Sequence, residues 1–393
     1  MKDLKSIGAL NGAVFILMFG VGMIVALLPR KMLDLSDSAF QVGALASAFA
    51  IPYIVFQLPI GRLADRYGYK WFLVGGYLIC ALAGLIFYAS SSSQTVLFGR
   101  MIQGIGEAPV WALAPALLSI MYPQNKARVM GWYNASLHLG LMSGSLTGVL
   151  MSRFWFGSEA FLMFSTLSAL GGLWIGFGVD SRPPGKTTLE TMGRIGDLRV
   201  LLRNRTLLVV FLGILLYGIG YGLYLTIIPA FLIQSKQATA DTVGYFFTLF
   251  YIAISVAQII IGPIADRFGR MIPMLGGLLA AAIGMFLFPH LALLAALFIL
   301  AFSGCGLGVF LVASLAFIND QVSDQFKGTA SGAFYLFWGF GFFAGPMLMG
   351  FAGDANRYWE GFFVMGLLYC LLVSMLLPTA GGKTDLKKGR LRQ

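Results

Sequence analysis

The stretch Gly61-Arg-Leu-Ala-Asp65-Arg66-Tyr-Gly68 returns as Gly262-Pro-Ile-Ala-Asp266-Arg267-Phe-Gly269, 201 residues later. The register holds on both sides of it. At the same offset Gln57 faces Gln258, Val42-Gly43 faces Val243-Gly244 and Gly131 faces Gly332. Pro29 matches Pro229, and Gly104-x-Gly106 matches Gly304-x-Gly306, at an offset of 200. Agreement at nearly one offset identifies an internal repeat, and a parallel repeat in an apolar chain implies a pseudo-two-fold axis along the membrane normal.

What surrounds the two copies is strongly apolar. Hydrophobic residues make up 58% of the 393, charged residues only 11%, and mean hydropathy is +0.83. A soluble domain carries roughly 25% charged residues, so this chain could not cover a water-exposed surface. Runs of about 20 apolar residues, the length that crosses a bilayer, fall near 8–29, 41–61, 71–90, 94–121, 129–151 and 159–179. They resume near 206–233, 241–262, 271–289, 291–318, 329–352 and 360–378. The expected fold is all-α: twelve transmembrane helices in two pseudo-symmetric six-helix bundles. The bundles occupy residues 1–180 and 206–379, joined by a linker over 181–205 and followed by a basic tail over 380–393. The basic N-terminus lacks a small-residue cleavage site and reads as a retained first span. Abundant Phe (34) and Gly (50) suit lipid-facing bulk and close helix contact.

Lys and Arg set the sidedness. With the N-terminus in the cytoplasm, 21 of the 27 basic residues lie in cytoplasmic segments, five in outer loops, and Arg100 within a span. Both termini are therefore expected inside. The net charge of +11 is concentrated in short loops and tails, which reads as orientation and not as a nucleic-acid surface. In the linker, Thr187 and Glu190 have capping-box spacing, and 196–205 alternates basic and aliphatic residues as a surface-lying helix would. Cys80, Cys305 and Cys370 all lie in apolar runs without metal-ligand spacing and read as ordinary packing residues.

The segment Gly61-x-Leu-Ala-Asp65-Arg66-x-Gly68-x-Lys70 resembles motif A of the major facilitator superfamily, with a weaker copy at Asp266, Arg267 and Gly269. Arg100-x-x-Gln103-Gly104-x-Gly106-Glu107-Ala108, in span four, resembles motif B of the same superfamily. The resemblance covers the whole chain, and its pattern is similar to the drug/proton antiporter-like branch. It departs from that branch in span five, which has Gly140, Gly144 and Gly148 without a proline. The Gly345-Pro346 pair falls in span eleven instead, and span one lacks an acid. The resemblance implies that Asp65 meets the start of span eleven near Gly328-Thr329, as a latch between the halves. Physically, a carboxylate suits the positive end of a helix.

Arg100 and Glu107 are the costly residues, since a charge at mid-bilayer costs at least about 2.5–3.5 kcal/mol on insertion scales. Seven residues apart, they share a helix face about 10 Å apart along the axis. Either they bond neighbouring helices or they bind a proton or solute. His138, in span five, titrates near neutral pH when unperturbed and is either a hydrogen-bonded structural group or a second proton carrier. Gln103, Asn11 and Asn134 are candidates for the cavity wall and equally for interhelical hydrogen bonds.

No nucleotide-binding loop, metal cluster or nucleophile–base pair is present, so the chain reads as neither an ATPase nor an enzyme, and no cofactor is expected. The resemblance implies a secondary transporter for a small-molecule solute, with spans 1, 4, 7 and 10 lining a central cavity. Glu107 makes proton-coupled efflux the leading expectation. Uptake of a nutrient or organic anion, with Arg100 as counter-charge, is one alternative, and a non-transporting sensor on the same scaffold is another. The expected setting is a bacterial inner membrane, with a monomer as the working unit in contact with lipid and no nucleic-acid partner. One prediction follows from the charge asymmetry. Single cysteines at Lys186 and at Ser92, in a cysteine-free background, should react with an impermeant maleimide from opposite sides of the membrane. Labelling from one side would overturn the map.

Overall fold

The computed structural model describes residues 2–122, 126–154, 158–179, 201–322 and 327–381. Among them the regular structure is entirely helical. The first six helices are α1 (Lys2–Ser36), α2 (Ala39–Tyr67), α3 (Tyr69–Ala89), α4 (Ser93–Met121), α5 (Lys126–Phe154) and α6 (Glu159–Gly178). After the linker come α7 (Arg205–Leu225), α8 (Ile227–Lys236), α9 (Ala240–Phe268), α10 (Met271–Leu287), α11 (Leu293–Gln321), α12 (Lys327–Asp354) and α13 (Tyr358–Gly381). Eleven of the described helices are long and apolar enough to cross a membrane. The twelfth span is α5, 29 residues long, which carries Asn134, His138, Ser143, Ser145 and Thr147 among its apolar residues. Several helices have 29 residues, hence are about 43 Å long, against a hydrocarbon core of about 30 Å. That is why they run past the ends of the apolar stretches.

The repeat is visible in the backbone. Helices α2 and α9 have 29 residues each and start 201 positions apart, at Ala39 and Ala240; α4 and α11 match at 200. Before α2, Asp37 takes a left-handed φ of 48°; before α9, Gln237 does so at 51°. Ser38 then accepts from Gln41 N–H, as Thr239 accepts from Thr242 N–H, each at 3.3 Å. Gly68 (φ 93°) alone joins α2 to α3, and Gly269 (φ 85°) with Arg270 joins α9 to α10; both glycines hold a conformation that L side chains rarely adopt. The polar turn after Asp65 is thus a one-residue glycine link between α2 and α3.

Span seven departs from expectation. A single run over 206–233 is divided at Thr226, whose φ of −133° and ψ of −66° separate α7 from α8. The Thr226 hydroxyl donates to the Gly222 carbonyl at 2.8 Å, occupying an acceptor of the last turn of α7. The capping-box pair Thr187 and Glu190 and residues 196–200 of the 196–205 stretch lie outside the described residues, and 201–203 are helical.

Packing divides the chain into two compact units. One groups Met1–Glu190, Ile219–Ile252 and Gly339–Tyr358; the other groups Thr191–Gly218, Ala253–Trp338 and Trp359–Gln393. In the first, α1 lies along α5. A Cβ at Gly140 would sit 2.5 Å from the Phe15 carbonyl oxygen, at Gly144 it would overlap that of Phe19, and at Gly148 it would lie 3.1 Å from Met23 Cα. Both series advance together by four, so the helices are parallel, and the period-four glycines are what lets them touch. The α3–α4 crossing puts Gly76 against the Gly106 carbonyl, with the thiol of buried Cys80 beside it. In the second unit, α10 and α11 repeat that crossing with Gly277 and Gly306. Tyr369 donates to the Leu216 carbonyl at 3.2 Å, and Arg270 pairs with Asp320 at 3.1 Å.

Adding a methyl group at the α3–α4 crossing tests its tightness. A Cβ at Gly106 would meet Cys80 Sγ at 2.7 Å and Cys80 N at 2.8 Å, whereas one at Gly75 meets nothing within 4 Å. Gly106→Ala should destabilise the detergent-solubilised protein by about 1–3 kcal/mol, through overpacking, and Gly75→Ala should not. Equal thermal midpoints for the two variants would refute the crossing as a tight contact.

Candidate functional site

Four polar side chains of α4 fall at positions 100, 103, 107 and 111. Spacings of three and four put them on one helix face, each within reach of the next. They form a continuous chain. Arg100 Nη1 donates to Gln103 Oε1 at 2.8 Å, Gln103 Nε2 donates to Glu107 Oε1 at 2.8 Å, and Trp111 Nε1 donates to Glu107 Oε2 at 3.0 Å. Gln103 therefore stands between the guanidinium and the carboxylate. Arg100 Nε also donates to the Leu45 carbonyl on α2 at 3.1 Å, and its guanidinium lies over the Phe49 ring at 4.9 Å. Exposure is 5% for Arg100, 0% for Gln103 and 3% for Glu107. Two formal charges are thus held out of water, an arrangement that is tolerable only when their donors and acceptors are met by the protein.

Glycines of the same stretch make this possible. A Cβ at Gly104 would overlap the Phe49 carbonyl oxygen and lie 3.0 Å from Pro52 Cγ, so only glycine there lets α2 come near enough for Arg100 to reach Leu45 and Phe49. Gly106 does the same toward α3. The four residues Gln-Gly-x-Gly between the two charges are the packing surface that carries them.

Beyond Phe49 the first unit continues into aromatic rings. Phe49 meets Phe342 edge-on at 6.1 Å, Phe342 meets Tyr221 at 6.3 Å, Tyr221 meets Phe250 at 5.8 Å and Phe250 meets Tyr251 at 5.3 Å. An ion pair bridged by an amide, with an aromatic wall beside it, suits an organic solute with both polar and flat apolar parts.

The other residues singled out in the sequence stand apart from that chain. Asn11, on α1, is half-buried, and its enclosed Oδ1 has no hydrogen-bonding partner among the described residues. His138 is half-buried and Asn134 exposed, both on α5, and neither takes part in the α4 bonds above. At the two repeated turns, Arg66 lies over Tyr67 at 5.3 Å and Arg267 over Phe268 at 5.4 Å, another echo of the repeat; Lys70 lies over Trp71 at 5.4 Å. Gly61 has open space where a Cβ would be. The side chains of Asp65, Asp266 and Thr329 fall outside the described ones. Trp111 was legible in principle, four residues from Glu107 on the same face. Phe49, Tyr221 and Tyr251 come from other helices and carry no local signal.

Two related sets of apolar helices, a positive-φ glycine at each of the two repeated turns and a buried charged chain in the fourth span describe a polytopic membrane protein. The chain belongs to the Major Facilitator Superfamily, whose family model matches residues 10–219 and again 210–391. It is 22% identical to Multidrug resistance protein 2 of Bacillus subtilis, over 89% of each chain. It is 26% identical to the class H tetracycline resistance protein of Pasteurella multocida, over 92% of each chain. Identity to the proton-coupled antiporter flippase LtaA of Staphylococcus saprophyticus is 23%, over 92% of this chain and 91% of that one. Among solved structures, the nucleoside transporter NupG superposes with a TM-score of 0.82 at 15% identity, covering 96% of this chain and 99% of that chain. At that identity the superposition shows the fold alone. The family and these relatives are transporters, and the chain is an integral membrane transporter of this superfamily.

Proposed function

We propose that the chain exports a small amphipathic organic solute in exchange for protons, by alternating access, with Glu107 as the group that carries the proton. The observation behind this reading is the buried Arg100–Gln103–Glu107–Trp111 chain. Both oxygens of Glu107 accept from N–H donors. A proton arriving there makes one oxygen a donor and a weaker acceptor, so the bond to Gln103 or to Trp111 weakens and the new O–H needs an acceptor of its own. Gln103 cannot simply turn its amide round, because its oxygen is held by Arg100. Protonation is thereby tied to a rearrangement of the helix face, which is what coupling requires. The relatives named for multidrug, tetracycline and proton-coupled antiport support the direction and the ion. Uptake of an organic anion on Arg100 is less well supported, since that guanidinium is already engaged by Leu45, Gln103 and Phe49.

In this reading the two bundles, 1–180 and 206–379, rock against each other as a monomer embedded in lipid. The linker 181–205, the tail 380–393 and both termini lie on the cytoplasmic side of a bacterial plasma membrane. Asp65, with Gly61, Arg66, Gly68 and Lys70, forms an inner latch, and Asp266, Arg267 and Gly269 form its second copy. His138, Asn11 and Asn134 are secondary candidates for the proton path and the cavity wall.

Vesicles with an imposed pH gradient and a panel containing tetracycline, lipophilic amines and nucleosides test the reading. Glu107→Gln should abolish uphill, gradient-driven movement and leave exchange at equal concentrations intact. Full gradient-driven activity in this variant would remove Glu107 from the mechanism. For the inner latch, Asp65→Asn should slow transport severalfold more than Asp65→Glu, since a carboxylate at a helix start is worth roughly 0.3–2 kcal/mol. Unchanged rates in the Asn variant would sink that role.

A further inference from the structure

At the end of α1 marked by Ser36, which we call the far end, α2 begins against the end of α12. The start of α2 has N–H groups with no partner inside its own helix. Its own cap, Ser38 Oγ, takes only the Gln41 N–H, at 3.3 Å. The remaining bonds come from a residue more than three hundred positions away. Ala39 N–H donates to Asp354 Oδ1 at 2.6 Å, Phe40 N–H donates to Asp354 Oδ2 at 3.3 Å, and the Ser38 hydroxyl donates to the same Oδ2 at 2.8 Å. One carboxylate thus caps a helix from the other half of the repeat, where the helix's partial positive charge also favours it.

The backbones close up behind this bond. A Cβ at Gly350 would sit 2.6 Å from the Ala39 carbonyl oxygen, and one at Gly43 would overlap that of Pro346. Phe40 meets Phe351 at 4.2 Å between centroids, and the Ser47 hydroxyl donates to the Phe343 carbonyl. Deeper still is the aromatic cluster of Phe49, Phe342 and Tyr221. Asp354 itself is exposed. Water can therefore replace the carboxylate when the two helix ends part, so the bond can break and re-form without stranding a polar group.

We propose that Asp354 is the latch of the far end, a carboxylate cap on α2 that biases the protein toward the state in which this end is shut. The proposal rests on the alternating-access reading and on the far end being extracellular. Helix α2 then carries a switchable contact at each of its ends: Asp354 at its start, and Asp65 near its finish.

The test uses a full-length chain with its three cysteines replaced and Ser47→Cys introduced, in intact cells treated with an impermeant maleimide. Ser47 is buried behind the latch, so its labelling rate reads how often the far end opens. Asp354→Ala, which removes every acceptor, should raise that rate roughly 2- to 30-fold, the range expected for loss of a helix cap. Gly350→Ala keeps the carboxylate but forces the helices apart, and should raise it as well. If the Ala variant fails to fold, as judged by monodispersity in detergent, Gly350→Ala and Asp354→Leu carry the test. Rates unchanged in the folded variants overturn the latch. Labelling needs no solute, so the two readings fail separately. Raised labelling in a chain that moves no compound leaves the latch standing and removes the transport reading. Unchanged labelling with intact transport removes the latch alone.

Discussion

Inside a bilayer, helices gain little by exchanging lipid contact for protein contact, because both surroundings are apolar. What holds this protein together is backbone brought against backbone at glycine. Gly76 against Gly106, its counterpart Gly277 against Gly306, and Gly140, Gly144 and Gly148 along α1 are the contacts at which helix axes come nearest. At each of them a single methyl group would meet a carbonyl, a main-chain carbon or a buried thiol. The polar site depends on the same device. Gly104 draws α2 in, and only then can Arg100 on α4 bond the Leu45 carbonyl and stack on Phe49.

Burying a cation and an anion on one helix would be expensive if either were left unmet. The helix solves this within its own sequence, since spacings of three, four and four let Arg100, Gln103, Glu107 and Trp111 bond in series. A direct ion pair would lock two charges together. An amide between them transmits the state of one to the other while keeping them apart. That arrangement suits a group that must change protonation during a cycle better than it suits a purely structural bridge, and it is the physical reason for assigning Glu107 to the proton and not to the scaffold.

The repeat was legible because its signals are local. A positive-φ residue before α2 and α9, a Ser or Thr cap after it, and a single glycine after Tyr67 and Phe268 are each fixed by residues within a few positions of one another. Period-four glycines in span five likewise announced a close helix contact, though not that α1 would make it. The bridge through Gln103 was half legible: the shared face of Arg100 and Glu107 follows from helix geometry, but not which side chain would stand between them. What could not be read were contacts made by distance in space: Asp354 on Ala39, Phe49 beneath Arg100, Phe342 beside Tyr221. The break at Thr226 also escaped, because 206–233 is apolar throughout, and the cue is one hydroxyl that bonds its own helix.

Symmetry and its loss divide the labour in this chain. The two halves agree where the backbone turns and where helices cross, at Gly68 and Gly269 or at Gly106 and Gly306, since both halves must fold by the same rules. They disagree at the candidate site. At the offset that aligns α4 with α11, Arg100, Gln103 and Glu107 correspond to Leu300, Ser303 and Leu307, all buried. The second half thus keeps these positions buried and drops the charge. At the offset of 201, by which the starts of α5 and α12 also differ, Asp354 corresponds to Arg153 near the end of α5, a residue of opposite sign. A carboxylate can cap the start of a helix and a guanidinium cannot, so only one of the two related positions could serve that purpose. The repeat supplied two copies of one scaffold, and departures from it, at a handful of buried or helix-end positions, gave each copy a different task.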